Sequence, residues 1–141
     1  MEKIILKFIK DFSNRDKRVD YILDFKNNFI CYKKRALYKA DLSMFNYDYM
    51  SENGVKLKDF STILNIENYE YNLELDCVRI IDDVKTYSYR LKDMYIEVNK
   101  KLVKMVDGSF YVKGLSPFSL VKFYDENDIL IALILPIKYK R

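Results

Sequence analysis

The sequence predicts an α+β protein that is mainly β, an antiparallel strand meander with one or two helices packed on one face. Alanine, the best helix former, occurs only at positions 36, 40 and 132, whereas β-branched and aromatic residues are abundant. Apolar and polar residues alternate with period two over several stretches, which is typical of strands. The length of 141 residues suits a single domain over residues 1–141.

The N-terminal segment predicts a first helix over about residues 2–12. Its apolar residues recur at helical spacing, at Ile4, Ile5, Phe8, Ile9 and Phe12. A strand through the same segment, with Ile4, Leu6 and Phe8 on one face, is the alternative.

Alternating polarity over residues 19–26 predicts the first strand. Asn27-Asn28 can adopt the positive φ of a tight turn, and Phe29–Lys34 is then the returning strand. The alternation continues from Ala36 toward Met50 and predicts a further strand there.

Residues 55–66 predict a second helix, because Leu57, Phe60 and Ile63 fall on one face. From Glu70 onward the alternation is clearest, with Tyr71, Leu73, Leu75 and Cys77 facing one way, as in an antiparallel sheet with one buried face. Asp82-Asp83 and Asp107-Gly108 are predicted hairpin turns. The later predicted strands are Val84–Leu91, Met94–Val98, Leu102–Val106, Phe110–Val112, Leu120–Tyr124 and Ile129–Ile137. The last of these is apolar on both faces, and Pro136 belongs near its end because proline cannot donate a ladder hydrogen bond.

The composition argues against most catalytic chemistry. There is no histidine, so the sequence offers no Ser-His-Asp or Cys-His nucleophile and no imidazole base. The three glycines, at 54, 108 and 114, form no phosphate-binding glycine-rich loop. We therefore expect no enzyme activity, no cofactor and no metal site.

Carboxylates and cysteines have simple structural interpretations. The pairs and clusters at Asp82-Asp83 and Asp125–Asp128 fall where the strand pattern demands turns, although neighbouring carboxylates also suit Mg²⁺ or shared-proton chemistry. Cys31 and Cys77 lie among apolar strand residues and are expected to be buried free thiols.

The net charge of +4 conceals a strong segregation along the chain. Residues 1–40 carry 11 basic and 5 acidic groups, residues 41–83 carry 3 and 10, and residues 84–141 carry 11 and 6. An acidic middle thus lies between two basic parts, which favours partners that present both signs of charge.

Basic residues interleaved with tyrosines suggest contact with nucleic acid. Lysine and arginine neutralise phosphates, and tyrosine rings stack on unpaired bases. The candidate binding residues are Lys33, Lys34, Arg35, Lys138, Lys140 and Arg141. The alternative interpretation is a solvated face enriched in lysine and tyrosine by AT-rich codon usage.

The C-terminal segment resembles the closing strands of bacterial DNA sliding clamps. It has Ser116-Pro117 before an apolar strand, an acidic turn at Asp125, and an apolar strand that ends in Leu135-Pro136-Ile137-Lys138. The helix-then-strands order from Val55 to Leu91 is similar to that of a clamp half-domain. The resemblance implies a DNA-encircling processivity factor, which this single clamp-sized domain would form only by oligomerising.

Two hypotheses of function follow. In the first, a non-enzymatic binding protein acts on nucleic-acid machinery, possibly as a clamp-like DNA-associated module. In the second, a small phage or mobile-element protein inhibits a host defence system, such as a CRISPR nuclease, by binding a protein partner. No signal peptide is evident, and the apolar run Ile129–Ile137 is too short for a membrane helix, so we expect a cytoplasmic protein without membrane contact.

Overall fold

The computed structural model describes residues 1–66 and 70–138, and over these residues it has ten strands and five helices. The predicted class, α+β and mainly β, is confirmed. The chain divides into two compact units, Met1–Glu67 and Asn68–Arg141. That the chain folds as a single domain over 1–141 stays a prediction.

In the described part of the first unit, four helices accompany a small sheet. The helices are α1 Lys3–Phe12, α2 Arg15–Arg18, α3 Tyr47–Glu52 and α4 Ser61–Leu64. The strands are β1 Tyr21–Asp24, β2 Phe29–Tyr32, β3 Ala36–Lys39 and β4 Lys56–Leu57. Their order is β4-β1-β2-β3, and β4 is parallel to β1 whereas the other pairs are antiparallel.

The predicted N-terminal helix is confirmed as α1, and the alternative strand is wrong. Ile4, Ile5 and Phe8 are buried on one face, while Leu6 and Ile9 point to solvent, as a helical period requires. The Phe8 ring packs edge-to-face on Tyr21 and Phe45, with centroid distances of 5.1 and 5.4 Å. This aromatic cluster joins α1 to the sheet.

The strand predicted from Ala36 toward Met50 is wrong over most of its length, because tertiary contacts override the local pattern. The strand that starts at Ala36 ends at Lys39, and the chain reaches Met50 within the helix α3. Asn46 caps the N-terminus of α3, since its side chain accepts a hydrogen bond from the Tyr49 N–H at 2.8 Å. The strand predicted over residues 19–26 is confirmed as β1, in which all four residues are buried.

The predicted helix over residues 55–66 is also wrong. Its first half is β4, held beside β1 by parallel pairing and by the Lys58 N–H, which donates to the Leu23 carbonyl at 3.1 Å. The Phe60 N–H donates to the buried Asp24 carboxylate at 2.9 Å, and only the short α4 follows. These long-range bonds satisfy backbone groups that a helix would have satisfied locally.

The described part of the second unit is an antiparallel sheet with one short helix. The strands are β5 Tyr71–Ile81, β6 Val84–Leu91, β7 Met94–Asn99, β8 Tyr111–Gly114, β9 Val121–Tyr124 and β10 Leu130–Ile134, and the helix is α5 Lys100–Val103. Their order is β10-β9-β8-β5-β6-β7. Two meanders, β5-β6-β7 and β8-β9-β10, therefore meet where β8 pairs with β5.

Most predicted strands of the second unit are confirmed, and one is wrong. Residues 102–106 do not form a strand; they lie in and after α5, where the buried Val103 and Val106 face inward. The Asp82-Asp83 turn is confirmed, with both residues at positive φ, 48° and 65°. The final strand ends at Ile134, two residues before Pro136, as the lack of a proline N–H requires.

The core of this unit lies between the sheet and the segment around α5. Phe123 is fully buried and packs edge-to-face against Tyr89 and Phe110. At Gly114 an added Cβ would lie 2.9 Å from Leu73 Cδ1, so a larger residue in β8 would have to displace the Leu73 side chain.

The alternation predicted for β5 holds only at its start. Leu73 is buried, but Leu75 is 54% exposed and Cys77 is half-buried. The register shifts between Leu75 and Cys77, which leaves Asp76 as the extra residue of a β-bulge. The bulge places Cys77 on the opposite face from Leu73. A strict period of two would have placed both residues on the same face.

Candidate functional site

The predicted basic residues Lys33, Lys34 and Arg35 form the turn between β2 and β3. Lys33 and Lys34 have φ of 52° and 57°, and the Arg35 N–H donates to the Tyr32 carbonyl at 3.0 Å. Two consecutive positive φ angles give the turn whose twist matches a hairpin. All three side chains are exposed, so the structure brings them together at the tip of one hairpin.

The other predicted basic residues belong to the C-terminal segment. Lys138 is exposed and follows Ile137, whose N–H donates to the Glu97 carbonyl at 2.7 Å. Lys140 and Arg141 lie outside the described residues. Lys138 is thus attached to the second unit, beside β7, whereas Lys33–Arg35 belong to the first.

A second group of cations, which the sequence did not single out, lines a cleft in the second unit. The cleft has a volume of about 500 Å³ and lies between the β5–β6 hairpin and α5. We call it the lysine cleft; its lining residues are Asp83, Val84, Lys85, Asn99, Lys100, Lys101 and Lys104. Four of these seven side chains are cationic and one is anionic, so the cleft is locally positive.

Local structure fixes the two walls of the lysine cleft. The turn at Asp82-Asp83 sets the register that pairs Ile81 with Val84 and places Lys85 one residue further along β6. On the other wall, the Asn99 side chain accepts a hydrogen bond from the Lys101 N–H at 2.9 Å and starts α5 directly after β7. Val103, which is 2% exposed, anchors α5 in the core.

An aromatic ring stands at the side of this cleft. The Lys100 ammonium lies 5.7 Å from the centroid of the half-buried Tyr87 ring. Tyr87 lies two residues after Lys85 in β6, and the two side chains therefore share one face of the strand. Tyr87 pairs with Val98 of β7. A cation and a ring in contact form a mixed surface that suits phosphates and bases.

The sequence contains a signal for this cleft. The signal is the register in which β6 pairs with β7, and it is not a run of basic residues at consecutive positions. Lys85 and Lys100 are far apart along the chain, but Leu91 pairs with Met94 and Thr86 pairs with Asn99. Counting back along the two predicted strands from the turn between Leu91 and Met94 brings Lys85 beside Lys100. A search for basic residues in consecutive positions finds Lys33–Arg35 and does not find this arrangement.

A buried carboxylate lies on the opposite face of the same strands. The Glu97 side chain is fully buried, and it accepts hydrogen bonds from Thr86 Oγ1 at 2.9 Å and Ser88 Oγ at 2.6 Å. The Arg79 Nε lies 3.8 Å from Glu97 Oε1 and its guanidinium lies over the Tyr95 ring. Since Thr86 and Ser88 are also fully buried, this network joins the strands and does not face a substrate.

The acidic turn at Asp125–Asp128 has the structural role expected of it. Asp125 Oδ1 accepts hydrogen bonds from the Asn127 and Ile129 N–H groups at 2.8 and 3.0 Å. Asp128 has φ of 61° and accepts a hydrogen bond from the Tyr111 hydroxyl, which raises the pKa of Tyr111 to about 12. These carboxylates are bound to their own loop and to β8.

Both cysteines are free thiols, as expected. Cys31 is buried, and burial raises the pKa of its thiol, with smaller opposing effects from Lys34 and Lys58. Cys77 is only half-buried, so the prediction of a buried thiol is wrong in degree there.

Comparisons with known proteins return nothing for this chain: no protein family, no curated protein and no solved structure matches it. Residues 1–66 and 70–138 contain no group of three or more cysteine, aspartate or glutamate side chains arranged to hold a metal ion. Within the same residues, no helix has the length and apolar character needed to cross a membrane. The class that the fold defines is an α+β, mainly β protein, and its function has to be argued from its surfaces.

Proposed function

We propose that this chain is a non-enzymatic nucleic-acid-binding protein and that the lysine cleft is its binding surface. The observation that carries the proposal is the convergence of Lys85, Lys100, Lys101 and Lys104 on one concave surface, where Asp83 is the single carboxylate among the described lining residues. Concave surfaces lined by charges of one sign focus the field and attract the opposite charge.

The chemistry of the cleft suits a phosphate backbone better than a small anion. The four ammonium groups are borne on flexible side chains along two walls, so they can follow a chain of phosphates. Tyr87 adds a ring beside Lys100, on which a base can stack. The turn at Lys33–Arg35, in contrast, holds its cations at the exposed tip of a hairpin.

The test is binding of fluorescent random-sequence DNA and RNA, single- and double-stranded, measured by anisotropy at several salt concentrations. We expect binding that weakens linearly on a log–log plot against salt, because each neutralised phosphate releases counterions. Replacing Lys85, Lys100 and Lys101 by glutamine should weaken binding by about tenfold or more at low salt and reduce the salt slope by about 2–3.

The matched control replaces Lys33, Lys34 and Arg35 by glutamine, which removes the same number of positive charges. It should change affinity much less than the cleft variant does. If the two triple variants lose affinity equally, binding reflects net charge and the cleft is not the site. A dissociation constant weaker than about 100 μM for every probe at low salt would overturn the nucleic-acid proposal.

The remaining hypotheses predict outcomes that further experiments distinguish. A clamp-like module, as the resemblance at Ser116–Lys138 implies, would retain circular duplex DNA after dilution and release it when the DNA is linearised. An inhibitor that acts on a protein target would bind none of the probes and would instead co-purify with one host protein.

A further inference from the structure

An exposed apolar strip lies on β5, one of the two strands of the hairpin that forms a wall of the lysine cleft. Leu75, Val78 and Ile80, which we call the apolar strip, are 54%, 49% and 70% exposed. The edge of β5 beside them is open. β8 pairs with β5 only at Tyr71–Leu73, and among residues 1–66 and 70–138 no strand pairs with the outer side of residues 74–81. Adjacent exposed apolar side chains of this kind mark a binding surface.

The pairing of β5 with β6 joins the apolar strip to the lysine cleft. Val78 lies directly opposite Tyr87, and Ile80 lies directly opposite Lys85. Residues opposite each other in an antiparallel pair share one face of the sheet, with Cβ atoms about 4.5–5.5 Å apart. The Lys100 ammonium, on the other wall of the cleft, lies 5.7 Å from the centroid of the Tyr87 ring. One continuous surface therefore carries the aliphatic side chains, then Tyr87 and Lys85, and then the remaining lysines of the cleft.

We propose that this continuous surface binds single-stranded nucleic acid in preference to a duplex, with phosphates in the lysine cleft and unpaired bases against Tyr87 and the apolar strip. The inference rests on the proposed function, in which the chain binds nucleic acid through the cleft. Proteins that bind single strands combine a positive groove, which follows the backbone, with rings on which bases stack. Here Tyr87 is the ring, and Val78 beside it extends the apolar surface.

A duplex would leave the apolar part of this surface unused. In a duplex only the edges of the bases are accessible, in the grooves, so it offers phosphates to the lysines but no base face to the apolar strip. A single strand offers both its phosphates and the apolar faces of its bases. The cleft volume of about 500 Å³ also falls in the range of about 300–1,000 Å³ for pockets that enclose small molecules, so the cleft admits a nucleotide but not a section of duplex.

An anionic membrane also combines negative charge with apolar groups, but the hairpin turn opposes it. Asp82 and Asp83 are exposed at the turn that follows the end of β5. A flat anionic surface in contact with Ile80 would also meet these two carboxylates, which it repels. A flexible single strand can reach Lys100 and Tyr87 without crossing the turn. The charges near the apolar strip therefore favour a single strand as its partner.

The test compares a fluorescent single strand of about 20 nucleotides with the duplex of the same sequence, by anisotropy at equal salt. We expect the single strand to bind more tightly by about tenfold or more. Tyr87→Leu should weaken single-strand binding by about fivefold or more, because a stacking ring is lost. It should leave the salt slope and the duplex affinity nearly unchanged, because no phosphate contact is lost.

The double variant Val78→Thr, Ile80→Thr tests the apolar strip without disturbing the core. Both positions are exposed, and threonine keeps the β-branched shape that suits a strand. The double variant should weaken single-strand binding by about two- to fivefold and leave duplex binding unchanged. Val19→Thr, at a position of the first unit that is 75% exposed, is the matched control and should leave both affinities unchanged.

Failure of this inference differs from failure of the proposed function. Equal affinity for single strand and duplex, or wild-type binding by both Tyr87→Leu and the double variant, would overturn single-strand binding while the cleft remained a nucleic-acid site. Co-sedimentation with phosphatidylserine vesicles that the double variant abolishes, without any preference for the single strand, would assign the apolar strip to a membrane and also overturn the inference. If no nucleic acid binds, the proposed function fails and this inference fails with it.

Discussion

The two units use their charged side chains in different ways. In the first unit Asp24 is fully buried, and its carboxylate accepts hydrogen bonds from the Asn27 N–H, the Asn27 amide and the Phe60 N–H at 3.0, 2.8 and 2.9 Å. In the second unit four lysines line an open cleft, and an apolar strand edge is exposed. Asp24 thus holds backbone groups of the first unit together, whereas the lysines of the cleft in the second unit are directed outward.

Core truncation in each unit gives the largest expected effect. Phe8→Ala and Phe123→Ala each remove a nearly fully buried ring and should lower the free energy of unfolding by about 3–5 kcal/mol. The predicted single domain requires each substitution to accelerate amide hydrogen exchange in both units. Exchange that accelerates only in the unit carrying the substitution would show that the units unfold separately.

The buried carboxylate of the first unit gives the next largest effect. Asp24→Ala leaves the buried Phe60 N–H and the half-buried Asn27 N–H without their acceptor, so unfolding in urea should show a loss of about 2–3 kcal/mol. Asp48→Ala, at an exposed position of α3, is the control and should cost much less. An equal loss in the two variants would mean that burial of Asp24 is not the reason for its effect.

The sequence predicts correctly the features that depend on residues close together along the chain, and it fails for those that depend on distant pairing. α1, most strands of the second unit and the Asp82-Asp83 turn depend on periodicity and turn residues, which are local. The helix predicted over residues 55–66 failed because the pairing of β4 with β1 and the bond from Phe60 to Asp24 involve partners more than 30 residues away. The lysine cleft was missed for the same reason, since pairing brings its walls together.

Acid should weaken the first unit through Asp11. Burial alone would raise the pKa of Asp11, but the Tyr21 hydroxyl, which donates to it at 2.5 Å, and the ammonium groups of Lys7 and Lys17 lower it below 3.8. A lowered folded-state pKa gives stability that is present above the unfolded value and is lost as the pH falls through the folded value.

The measurement compares the wild type with Asp11→Asn by urea unfolding between about pH 6 and pH 2.5. The difference in unfolding free energy should be smaller than that of Asp24→Ala at neutral pH and should decline below about pH 4, where the wild-type carboxylate becomes protonated. A difference that stays constant over this range would mean that ionisation of Asp11 contributes nothing.

The smallest expected effects come from two hairpin turns, one in each unit. Lys34 and Asp83 both have positive φ, 57° and 65°. This conformation costs a lysine more free energy than an aspartate, because the aspartate side chain can hydrogen-bond to the nearby backbone. Lys34→Gly should therefore stabilise the protein by up to about 1 kcal/mol in urea unfolding, and Asp83→Gly should stabilise it less.

The same two substitutions separate stability from binding. Asp83 is the one carboxylate among the described residues that line the lysine cleft. Asp83→Gly should therefore raise the affinity for single-stranded DNA a few-fold at low salt, whereas Lys34→Gly should leave it nearly unchanged. If Lys34→Gly weakens binding while Asp83→Gly has no effect, the turn in the first unit is the nucleic-acid contact. The outward-directed charge would then belong to both units, and the contrast between them would not hold.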